Sequence, residues 1–111
     1  MSRNIPESDW QRFRKIHSEL CDEFCARVLA EAQSIATSSE GSPHKRYIRL
    51  FRLIERRDDE LARGFNDLRR STALQQLLVL RGLGLLTDDH ILSFTPETQL
   101  VLRAFDGHTK D

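Results

Sequence analysis

His17, Cys21 and Cys25 stand four residues apart, so on a helix an imidazole and two thiols would fall in one row. Such donors suit zinc, but a structural zinc site takes four ligands, usually from more than one element, and the chain has no second cysteine pair. The sequence favours small apolar thiols beside a half-buried histidine, with no metal and no other cofactor. A disulfide between cysteines one helical turn apart is geometrically poor. Reduced thiols agree with a cytoplasmic location.

Asp58 is the second candidate for chemistry. It occupies a position in a run where Tyr47, Phe51, Ile54, Leu61, Phe65 and Leu68 recur in alternating steps of four and three, the spacing of a heptad seam. Burial there could raise the pKa of a carboxylate and make it an acid or base. A lone carboxylate without a nucleophile or a second acid makes a poor catalyst, so Asp58 reads as a register-setting polar residue at a helix contact. The chain also lacks a glycine-rich phosphate loop, a Gly-x-Ser-x-Gly turn and a dinucleotide fingerprint, and no enzyme is expected.

Cations form the third group. Lys45, Arg49, Arg52, Arg56 and Arg63 lie two residues before seam positions, about 200° around a helix from the seam. Glu55, Asp59, Glu60 and Asp67 lie three or four residues from members of this row, which makes a salt-laced solvent face. The total of 17 Lys and Arg against 17 Asp and Glu gives zero net charge, unlike a general nucleic-acid or membrane-surface binder.

These residues require long helices. The chain has three Pro and five Gly, and is rich in Leu, Arg and Glu, which favours an all-α fold. Trp10, Phe13, Ile16, Leu20, Phe24, Val28, Ala32 and Ile35 form a stripe on a first helix over 6–36, with Glu7 and Asp9 at the positive end of its dipole. Gly41 breaks the chain, and Ser42 with Pro43 forms a cap and first turn. A second helix over 43–70 should then pack against the first as an antiparallel hairpin, each arm about 45 Å long. The dense apolar residues from Leu74 to Leu86 give a helix over 73–81, closed by Gly82 and Gly84. Thr87 and Thr95-Pro96 start short helices over 88–94 and 96–105, Gly107 ends the last, and the tail frays.

Part of this pattern resembles the second half of a winged helix-turn-helix. Residues 61–86 would supply a helix, a polar turn and a Ser/Thr-started helix, followed by an extended piece. The resemblance implies DNA contact by Arg69, Arg70, Ser71, Thr72, Gln75 and Gln76. Against it, the seam runs past Asn66 and Asp67 to Leu68, and Asp88 and Asp89 would turn negative charge toward phosphates.

The expectation is therefore one all-helical domain over 1–111 whose long hairpin pairs with a second copy in a dimeric bundle. The expected function is that of a small cytoplasmic interaction or adaptor protein that binds itself and potentially another protein. Its contacts would be Tyr47, Phe51, Ile54, Asp58, Leu61 and Phe65. A helix-turn-helix DNA-binding regulator is the alternative. No apolar run reaches the roughly 18 residues that span a bilayer, so no membrane partner is expected.

Overall fold

The computed structural model describes residues 4–109, with side chains described to Phe105. It is all-helical: α1 (Glu7–Thr37), α2 (Pro43–Phe65), α3 (Arg70–Gly82), α4 (Asp88–Leu92) and α5 (Pro96–Thr109), with no strand among the described residues.

Local chemistry accounts for most of the helix boundaries. Ser42 caps α2 by accepting from the Lys45 N–H at 3.2 Å, and Pro43 opens its first turn. Thr87 caps α4 by accepting from the His90 N–H at 3.2 Å. Gly41 takes a left-handed φ of 78° in the turn between α1 and α2, a conformation that costs glycine nothing.

Four boundaries differ from expectation by two residues or more: the end of α2, the start of α3 at Arg70 rather than 73, the end of α4 at Leu92 rather than 94, and the end of α5. α2 stops at Phe65 rather than 70, because Asn66 is extended and Asp67 adopts a left-handed φ of 58°. Asp residues tolerate that region. The turn is then held by the Thr72 hydroxyl, which donates to the Asp67 carbonyl at 2.9 Å and accepts from the Arg69 N–H at 3.3 Å. α3 consequently begins at Arg70. At the other end, α5 continues through Gly107 to Thr109 instead of ending at the glycine.

The core sits at one end of the molecule. Phe13, Ile16, Leu20 and Phe24 of α1 meet Phe65, Ala73, Leu77 and Leu80, and Leu85, Leu86, Ile91, Phe94 and Leu102 close around them. α2 and α3 approach closely at Gly64, where an added Cβ would stand 2.8 Å from Leu80 Cδ2, and Leu80 is fully buried. Gly64→Ala is therefore expected to lower stability by about 1 kcal/mol, although Ala is normally the better helix former by a similar amount. A denaturant midpoint that rises for this variant would contradict the close packing.

Beyond Phe24 the α1–α2 pair projects from this core. The molecule measures 52 × 29 × 24 Å with a radius of gyration of 16.5 Å, against about 13 Å for a compact domain of this length. Along the projection Arg57 of α2 donates to both carboxylate oxygens of Glu31 of α1, at 2.9 and 3.1 Å, and Arg46 donates to the Ala36 carbonyl at 2.9 Å.

Candidate functional site

Toward the turn, the face of α2 that packs on α1 is not the heptad seam, although Phe65 at the far end of the seam packs on His17 and Phe24 of α1. Arg46, Leu50, Leu53, Arg57, Glu60 and Gly64 form a half-buried or buried row, one residue out of step with the seam and so about 100° away from it. The seam faces outward instead. Tyr47, Phe51 and Ile54 are 67, 56 and 45% exposed, and Asp58 is exposed beside them. Leu61 is half-buried and Phe65 fully joins the core, so the outward stripe merges into the packed end of the molecule.

α1 supplies the other edge of this face. Leu29 is 68% exposed, and the half-buried Cys21 and Cys25 precede it at four-residue steps. Phe24, Cys25, Val28, Leu29, Ile54 and Leu61 line a groove of about 220 Å³ between the two helices, with Arg57 and Asp58 completing its wall. A second shallow groove of about 220 Å³ lies toward the turn, between Ala36, Pro43, Arg46, Tyr47 and Leu50. Leu29 was recognisable only as the third member of the row begun by Cys21 and Cys25.

A charged flank bounds the same two helices. Glu31, Arg57 and Glu60 share hydrogen bonds, and Arg27 donates to Glu23 at 3.0 Å. The Glu31 and then the Glu60 carboxylates hold the Arg57 guanidinium above its ordinary range, while the hydrogen bond from Arg57 holds the Glu31 carboxyl below the usual carboxylate range. A lowered carboxylate stabilises the fold fully above its unfolded value of about 4.3 and loses that contribution as pH falls through the lowered one. Because Glu31 is exposed, the expected loss for Glu31→Gln at neutral pH is below about 1 kcal/mol. The difference from native should vanish in unfolding experiments at strongly acidic pH.

His17, Cys21 and Cys25 do lie along α1, but among the described residues no group of three His, Cys, Asp or Glu side chains is placed to hold a metal ion. His17 is turned between two aromatic edges, its ring 5.6 Å from Phe13 and 5.3 Å from Phe65. Burial, and then the neighbouring Cys25, push the Cys21 thiol up, which suppresses the reactive thiolate. Alkylation of Cys21 at pH 8 should accordingly be slower in the folded protein than in denaturant, and equal rates would contradict this environment.

The residues of the DNA-binding alternative are divided. Arg69, Ser71 and Gln75 are exposed. Arg70 donates to the Ile5 carbonyl and to Glu7, each at 2.9 Å, and Thr72 holds the turn before α3. Gln76 is buried, at 4% exposure, and donates to the Asn66 carbonyl. The expected extended piece before Thr95 is helix α4 instead.

One buried polar cluster escaped the sequence reading altogether. Asp9, 1% exposed, accepts from the Thr95 N–H at 2.9 Å, the Thr95 hydroxyl at 2.7 Å and the Thr98 hydroxyl at 2.6 Å. It locks the first turn of α1 to the start of α5. Its partners are too distant in sequence for local spacing to reveal them.

Comparison with models of protein families, with curated proteins and with solved structures finds no match to this chain.

Proposed function

We propose that this chain is a helical interaction protein that assembles with a second copy of itself through the outward apolar face of α1 and α2, acting by burial and without catalytic chemistry of its own. The observation that carries this reading is the alignment of Leu29, Tyr47, Phe51 and Ile54 on one side of a projecting helix pair, each more than two-fifths exposed. Scattered apolar residues are normal on a surface, whereas a contiguous apolar stripe calls for a cover.

Surface area supports the same reading. The molecule exposes 7403 Å² at 12.9 kDa, against about 6,300 Å² for a compact monomer of that mass. The excess is on the order of 1,000 Å², comparable to one partner's share of a standard protein interface. In this proposal α1 and α2 form an antiparallel hairpin, supported by the pairing of Glu31 with Arg57 and Ala36 with Arg46. Two such hairpins complete a four-helix bundle around a twofold axis. The free Cys21 and Cys25 suit a cytoplasmic setting. The DNA-binding alternative is the weaker reading, because Arg70, Thr72 and Gln76 are already committed to the fold.

Hydrogen exchange tests the proposal. Backbone amides of residues 26–36 and 44–56 should exchange more slowly in the native protein than in Phe51→Glu at the same concentration, with the amides of α3 unchanged. Indistinguishable exchange along both helices would refute it.

A further inference from the structure

Asp58 is the carboxylate of the outward seam, with Ile54 one turn before it and Leu61 one turn after. It shares the groove between α1 and α2 with Cys25, Val28, Leu29, Ile54 and Leu61. In the single chain it is exposed and makes no hydrogen bond or ion pair among the described residues.

The cations of the two helices lie elsewhere or are already bound. Lys45, Arg49, Arg52, Arg56 and Arg63 stand about 200° around α2 from the seam. Arg57 does line the groove, but its Nε and Nη2 donate to Glu31 and its Nη1 donates to Glu60. On α1, Arg27 is bound to Glu23, and Arg14 lies over the Trp10 ring, 5.7 Å from its centroid. The titratable group that α1 places in the groove is the Cys25 thiol, which offers no positive charge, and Asp22 beside Cys21 has the same sign as Asp58.

A second copy lying on this face takes Asp58 out of water without supplying a counter-charge from its own identical stripe. An unpaired carboxylate in apolar surroundings favours its neutral form. Resting on the self-association proposed above, we infer that assembly is coupled to proton uptake at Asp58, so that acid strengthens the pairing and neutral pH holds it back. The twofold axis adds to the effect by bringing a second Asp58 to the same covered face.

The sign follows from linkage. An exposed carboxylate is ionised at neutral pH, so two free chains hold fewer protons at this position than the assembled pair. Association therefore gains as pH falls toward the value at which an aspartate in water itself takes up a proton, about 3.9. One proton per chain is two per pair, which changes the dissociation constant by up to about a hundredfold per pH unit. A leucine at this seam position would bury more apolar surface and give no such dependence.

Sedimentation equilibrium of the native protein and of Asp58→Asn, at about pH 7.5 and about pH 5.5, tests the coupling. Both values lie above the range in which the Glu31 contribution is lost. The native dissociation constant should fall at least about tenfold on acidification. Asp58→Asn should associate at least about tenfold more tightly than native protein at pH 7.5, with the difference narrowing at pH 5.5. Histidines titrate in the same interval, so the part of the pH dependence that Asp58→Asn removes is the part assigned to Asp58. A variant that pairs no more tightly than native protein at pH 7.5, or that tightens in acid as much as native protein does, would overturn the coupling and leave self-association standing. A one-copy mass for both proteins at both pH values would overturn the coupling and self-association together.

Discussion

Asp9→Ala is expected to lower the stability of the fold by about 3 kcal/mol, the loss associated with removing the acceptor from a buried, charge-assisted network. Its carboxylate receives one backbone N–H and two hydroxyls from Thr95 and Thr98, and it is effectively sealed from water. Alanine would leave those donors buried without that acceptor. It would also remove a negative charge from two helix starts at once, since Asp9 lies in the first turn of α1 and binds the residue that precedes Pro96 in α5. For a domain of this size the melting temperature should fall by roughly 10–20 °C. Thr98→Val, which removes one donor and keeps the shape, should cost about 1 kcal/mol. Glu7→Ala, two residues away, removes an exposed ion pair with Arg70 and an exposed hydrogen bond from Gln11, and should cost about 1 kcal/mol or less. Equal losses for Asp9→Ala and Glu7→Ala in urea unfolding would show that the buried network is not what joins the two ends of the chain.

The second large effect concerns assembly. Phe51→Glu and Ile54→Glu each place a carboxylate on the outward stripe without disturbing the core, because both side chains are substantially exposed in the single chain. Burying an unpaired charge against an apolar partner surface should weaken association by about 3 kcal/mol or more, on the order of a hundredfold in dissociation constant. Stability of the isolated chain should change by no more than about 0.5 kcal/mol, as for other surface substitutions. Leu53→Glu is the contrasting case. Leu53 is buried against α1, and the same change there should unfold the helix pair. Sedimentation velocity and thermal unfolding measured together separate these outcomes. An association constant unaffected by Phe51→Glu would place the interface elsewhere.

Most helix starts, though not that of α3, were legible in the sequence because they are local. Ser42 and Thr87 each announce a first turn through a side-chain cap within three residues, and Pro43 and Pro96 open α2 and α5. The end of α2 was not, because Asn66 and Asp67 can continue a helix or leave it. Their exit is stabilised by Thr72 and by Gln76, which reaches back to the Asn66 carbonyl from the next helix. The seam shows a subtler limit. Its period was readable, but Leu50 and Leu53 widen the apolar arc, and which edge of that arc faces α1 depends on how the two helices rotate against each other. Tyr47, Phe51 and Ile54, expected from the sequence as contacts with a second copy, are the exposed part of the seam and form the candidate surface. Asp9 could be read from sequence only as a dipole-compensating acid, since its hydrogen-bonding partners lie more than eighty residues away.

Light scattering coupled to gel filtration, run on the native protein and on Phe51→Glu over a hundredfold range of concentration, addresses self-association most directly. Native protein should show twice the 12.9 kDa chain mass and the variant the mass of one chain, with matching circular dichroism. A native mass of one chain throughout would contradict self-association through the α1–α2 face and leave its apolar stripe to a different partner.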